Sequence, residues 1–133
     1  MNRTEDVLRY RRDLRRSVRR LGESLGTTPH EVATKLAAYG VAGRPADAAN
    51  CAIARYMGAI IGTEHGVRAI SVFDRSIRVT LMPGHLPVIV RLPRPLAKFV
   101  RAFDSGCYPE LVARSDLKVA SNPKRLDQLE ARP

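Results

Sequence analysis

Val7, Leu14, Val18, Leu21 and Leu25 recur at helical spacing, with Tyr10 at the edge of the same side. At about 100° per residue they line one face of a helix expected from about Thr4 to Leu25. Arg9, Arg12, Arg15, Arg16, Arg19 and Arg20 fall on the other side, while Arg11 interrupts the seam. Such a helix docks its seam on a protein core and turns a guanidinium surface outward. The seam follows an a/d pattern but has too few clean heptads for a coiled coil. Packing on the domain's own core is favoured over homodimerisation through the seam.

Gly26 stops this helix, and the next start is well marked. Thr28 suits an N-cap, Pro29 the first helical position, and Glu31 a capping box. The helix Pro29–Tyr39 is expected to bury Val32, Leu36 and Tyr39, with Gly40 as its left-handed end. Val41–Ala46 reads as a linker. Its Gly43-Arg44-Pro45 is too short for a phosphate loop. Asp47 is expected to cap a third helix reaching about Ile61. Ile53, Tyr56, Met57, Ile60 and Ile61 give it a broad apolar face, and Cys51, Ala54 and Gly58 a face of small side chains. A helix apolar or small nearly all round belongs in the centre of a fold.

After Gly62 the period changes to two. Val67–Phe73, Ser76–Leu81 and Val88–Leu92 read as strands, and their short connections predict an antiparallel meander. Pro93 and Pro95 end the last strand. A helix of about Leu96–Phe103 buries Leu96, Phe99, Val100 and Phe103, and Pro109–Val112 adds a turn. The expected fold class is α+β: three N-terminal helices, a three-stranded antiparallel meander and a short closing helix. One domain covers residues 1–112, and 113–133 is expected to be a frayed or disordered polar tail.

Three stretches are similar to a group of small uncharacterised proteins of actinobacteria and their phages. They are Gly43-Arg44-Pro45 with Asp47, then Cys51-Ala52-Ile53-Ala54-Arg55-Tyr56, then the run from Phe99 to Leu111. The likeness spans roughly residues 21 to 112. It departs at Ala52, where the group has Pro, and at Cys107, where it has a basic residue. The resemblance implies a single α+β domain of bacterial or phage origin. It carries over no catalytic residues.

Charge narrows the partner class. The net charge is +10, with 23 Lys and Arg against 13 Asp and Glu. Nineteen of the basic residues are Arg, a bias that GC-rich codons alone produce. Clustering on one helix face is therefore better evidence than the total. The expected partner is nucleic acid, DNA ahead of RNA, or else an acidic protein. Aromatic content of 5% with no Trp argues against a base-stacking platform.

Two cysteines make neither a disulfide framework nor a zinc set. They suit a reducing, cytoplasmic setting. The polar N-terminus is not a secretory signal, and no apolar run approaches the roughly 20 residues that span a bilayer. A membrane partner is not expected.

Catalytic chemistry finds little support. His30, His65 and His85 sit in separate segments without ligand or triad spacing. Cys51, expected in the first turn of the third helix, reads as packing rather than as a nucleophile, and Cys107 as exposed. There is no paired-carboxylate motif, Gly-rich phosphate loop or nucleophile elbow. No enzyme activity, cofactor or metal is expected.

The segment from Leu25 to Leu36 also resembles the turn and second helix of bacterial helix-turn-helix repressors. Gly26 would sit in the turn, Gly22 at the helix crossing, and Val32 inside. His30, Thr34 and Lys35 would face a groove, a thin set of base readers. A plain capped αα-hairpin is favoured. The expected function is a small non-enzymatic nucleic-acid-associated protein, in the manner of a DNA-binding regulator. Its phosphate contacts would be Arg9, Arg12, Arg15, Arg16, Arg19, Arg20 and Lys35. The alternative is a protein–protein adaptor or phage-type inhibitor with no nucleic-acid role.

Overall fold

The computed structural model describes residues 3–62 and 66–113. Helix α1 spans Arg3–Ser24, α2 Pro29–Ala38 and α3 Ala52–Ile61. Strands β1 (Val67–Val72), β2 (Ser76–Leu81) and β3 (Val88–Arg91) follow, then α4 (Arg94–Asp104) and a 3-10 turn at Pro109–Leu111. The strands form one antiparallel sheet in the order β1-β2-β3. This is the α+β architecture that the periodicities predict. The expected tail lies outside the described residues from 114 onward. Ala113 itself is buried, and its N–H donates to the Gly43 carbonyl at 2.8 Å.

One face of the sheet carries the core. Ile77, Val79 and Leu81 on β2 and Val88 and Val90 on β3 point inward, while Arg78, Thr80, Ile89 and Arg91 point out. A bulge between Val67 and Ala69 resets the register of β1. It lets Val67 and Ile70 share the buried face although they are three residues apart. Helix α1 packs on β3, α3 on β1, and α2 on α4. The closing helix α4 buries Leu96, Phe99, Val100 and Phe103. Phe99 stacks on Phe103 at 5.6 Å and on Tyr108 at 5.3 Å.

The start of α2 forms as its sequence dictates. The Thr28 hydroxyl accepts from the Glu31 N–H at 3.1 Å. The Glu31 carboxylate reaches one residue further back than a capping box requires, accepting from the Thr27 N–H at 2.7 Å. The Thr27 hydroxyl donates to the same carboxylate at 3.0 Å, and the two Thr27 bonds, backbone first and then hydroxyl, hold the Glu31 carboxyl below its usual range.

Several local expectations are corrected. Tyr39 is 60% exposed, because α2 ends at Ala38 and Tyr39 turns out to stack on buried Tyr56 at 5.3 Å. Asp47 does not cap α3. It closes a turn, accepting from the Asn50 N–H at 3.1 Å and the Asn50 amide at 3.2 Å. The cap is Cys51, whose sulfur accepts from the Ala54 N–H at 3.5 Å. Ile60 is 52% exposed on the outer side of α3. Nothing approaches Gly58 closely, so the face of small residues is not a contact surface there.

Nor is Val41–Ala46 a free linker. Gly43 is buried, pairs with Val112 in a parallel bridge, and lies against the backbone of Cys51 and Ala52. The helix-turn-helix rationale for Gly22 also changes. A methyl added there would meet Leu96 at 3.3 Å, Pro93 at 3.5 Å and Met57 at 3.6 Å. Its small size admits the start of α4 and the side of α3, not a crossing with α2.

Candidate nucleic-acid interface

The inner edge of α1 is fixed by Leu14, Val18 and Gly22, which are buried, and by Leu25 just beyond the helix. Val7, Tyr10 and Leu21 flank them, half-buried. This orientation leaves Arg9, Arg12, Arg16, Arg19 and Arg20 exposed and Arg15 partly so. The helix is 22 residues long, so successive turns space these groups about 5.4 Å apart along its axis. The predicted arc is therefore one continuous surface. Among the described residues, Arg16 is the one member of the arc with an ion pair, to Asp13 at a loose 3.9 Å with both side chains exposed. An exposed pair of that length contributes little.

Arg11, outside the arc, interrupts the apolar seam. Its guanidinium donates to the Leu86 carbonyl at 2.6 Å and the Pro87 carbonyl at 3.0 Å. It ties α1 to the loop that feeds β3, and so interrupts the seam without leaving the fold. The fork geometry of arginine suits two adjacent carbonyls. Gly22 meets Pro93 at the far end of the same strand, so α1 runs alongside β3 from Pro87 to Pro93.

Lys35 stands apart from the arc. It is exposed, but its ammonium donates to the Ser24 carbonyl at 2.7 Å, the last residue of α1. Helix ends leave carbonyls unpaired, and a cation there opposes the negative end of the dipole. Lys35 thus caps the arginine helix at its C-terminus. His30 and Thr34 are exposed, with the Thr34 hydroxyl donating back to the His30 carbonyl at 2.9 Å.

The thiols divide as their surroundings require. Cys51 is 4% exposed and Cys107 is exposed. Burial pushes the Cys51 thiol up, which outweighs the N–H groups of Ala54 and Ile53 that pull it down. A helix N-terminus alone favours thiolate, but here desolvation wins. Alkylation at neutral pH should modify Cys107 quickly and Cys51 slowly until denaturant is added. Cys51→Ala should cost about 1–2 kcal/mol, the loss of a small buried group and a cap. Rapid native labelling of Cys51 would contradict its packing role. Asp47, Asp74 and Asp104 line a cavity of about 220 Å³ beside Cys51, but Asp104 is occupied by the Ala46 N–H at 2.7 Å. No group of three or more His, Cys, Asp or Glu among the described residues is placed to hold a metal. No helix among them is long and apolar enough to cross a membrane.

Comparison with family models, with curated proteins and with solved structures finds no match.

Proposed function

We propose that this chain is a small non-enzymatic nucleic-acid-associated protein that grips phosphates through the outer face of α1. One observation carries the reading: six guanidinium groups stand on a single outward arc of a helix whose inner edge is anchored in the core. Like charges at i,i+4 spacing cost a few tenths of a kcal/mol per pair. A polyanion offsets that cost more fully than dissolved salt does. Phosphate contacts give affinity without sequence choice. Duplex DNA is favoured over RNA because recognition of unpaired bases relies on aromatic stacking. Only three Phe and four Tyr are present, and Phe99, Phe103 and Tyr56 are buried.

Gel shifts with random-sequence duplex DNA and RNA test this. Four to six phosphate contacts imply a fall in affinity on the order of 10²–10³-fold between about 50 and 200 mM salt. Absence of binding at the lower salt, or binding indifferent to salt, would remove the reading. The second reading, a protein–protein adaptor or phage-type inhibitor with no nucleic-acid role, is favoured by Leu8 and Leu86. They are 55% and 77% exposed, and Arg11 links their neighbourhoods beside the arc. Under the nucleic-acid reading, Leu8→Gln leaves DNA affinity unchanged.

A further inference from the structure

We propose that Tyr39 is a stacking site for one unpaired base, placed at the end of the phosphate track on α1. A duplex that ends in a short single-stranded overhang is then a better ligand than a blunt one. The inference rests on the nucleic-acid reading and adds the form that the nucleic acid takes at that end.

Tyr39 stands just beyond α2 and is 60% exposed. Its ring is stacked on Tyr56, with centroids 5.3 Å and planes 23° apart. Tyr56 is 6% exposed and belongs to the core. The inner ring of the pair is therefore fixed, and the outer one lies on it with the greater part of its surface open to water. Apolar surface in water is costly, and this surface is flat and held in place before any partner arrives. Every base has a π-face that such a ring can cover. Offset stacking of planar rings is favourable beyond the area it buries. Three Phe and four Tyr are too few for a row of stacking sites, but one base needs one ring.

The charges beside the ring suit a phosphate. Lys35 lies one helical turn before Tyr39, on the same side of α2. Its ammonium is held at 2.7 Å by the carbonyl of Ser24, the last residue of α1. That bond leaves the charge and two further donors. Lys35 thus joins the ring to the end of the arginine arc, where Arg19 and Arg20 are exposed. Arg55, the residue before Tyr56, is exposed and donates to the Ala42 carbonyl at 3.3 Å, three residues past Tyr39. His30 is exposed in the first turn of α2. Against these cations, Glu31 is engaged by Thr27, and Asp47 faces Arg44 at 3.9 Å. Glu23 is exposed in the last turn of α1. The balance is positive beside an open aromatic face. A planar base carrying a phosphate matches both features, whereas an acidic peptide matches the charge alone.

The test compares three forms of one labelled duplex: blunt, with a short thymidine overhang, and with an abasic overhang of equal length and charge. Overhangs are placed on the 3′ and the 5′ strand in turn. At about 0.1 M salt the thymidine overhang of at least one polarity should bind about fivefold or more tighter than its abasic counterpart, the low end for stacking of one base. Tyr39→Ala should bring the two together while leaving the affinity and salt slope of the blunt duplex unchanged, since no charge is altered. Tyr39→Phe should keep the preference, because the ring remains. Tyr39→Leu covers Tyr56 without offering a flat face. It should lose the preference too, and it decides alone if Tyr39→Ala fails to fold. Equal binding of thymidine and abasic overhangs by the parent overturns the proposal, while binding of the blunt duplex leaves the reading of α1 standing. A preference that survives Tyr39→Leu also overturns it, because the base is then held elsewhere. A parent that binds no form at about 50 mM salt overturns both.

Discussion

Gly43→Ala is expected to destabilise the chain by about 3–5 kcal/mol. A Cβ at this position would collide with the backbone nitrogen of Ala52 and the carbonyl carbon of Cys51. Those atoms belong to the start of α3, so no side chain can swing aside. Nor can Gly43 retreat. Its N–H donates to the Leu111 carbonyl at 2.8 Å, and its carbonyl accepts from the Ala113 N–H at 2.8 Å. Overpacking costs about 1–3 kcal/mol where side chains can adjust. Losing two buried backbone bonds adds about 1 kcal/mol each. A total of about 3–5 kcal/mol is a large share of a typical stability of roughly 5–15 kcal/mol, and nearly all of it at the lower end of that range. Gly58→Ala is the control, since nothing lies within 4 Å of the added methyl. In a helix interior that change should stabilise by up to about 1 kcal/mol. Urea midpoints should therefore move in opposite directions for two identical substitutions. A Gly43→Ala midpoint within error of the parent would mean that the close approach does not exist in solution.

The contrast between these glycines also marks how far the sequence can be read. Among the described residues, period and turn chemistry place the helices and strands, because Leu14, Val18, Ile77 and Val79 follow the spacing of their elements. The Thr28 cap was legible because its partners lie within four residues. Gly43 and Gly58 cannot be told apart in the sequence because their surroundings depend on segments distant in the chain. The start of α3 makes Gly43 tight and the strand-like bridge to Val112 holds it there, and nothing in residues 41–46 encodes either. The same holds for Arg11, whose acceptors lie 75 and 76 residues away. Asp47 was the more obvious cap by residue type, yet Cys51 has the position, since capping follows the backbone path and not preference alone. Of the candidate interface, the arginine arc was readable from the helical period. The capping role of Lys35 is not, because it joins two separate elements, α2 and the end of α1.

Replacing Arg12, Arg16 and Arg19 together by Gln is expected to abolish most nucleic-acid binding while leaving the fold intact. All three side chains are exposed, so the core is untouched. Gln keeps nearly the helix propensity of Arg. Removing like charges one turn apart should raise helix stability by a few tenths of a kcal/mol per pair. Binding moves the other way. Each phosphate contact contributes about one unit to the salt slope, so the slope should flatten by about three. At about 0.1 M salt the same three contacts correspond to an affinity loss on the order of several hundred-fold. The loss should be alike for duplexes of unrelated sequence, because phosphates carry no base identity. Lys at the three positions should restore most of the slope, since the point charge is kept even where the fork is lost. Measurement of affinity against salt for the parent, the Gln variant and the Lys variant decides the matter. A Gln variant with higher thermal stability and unchanged affinity would identify the arc as an ordinary solvated face, and the nucleic-acid reading would fall with it.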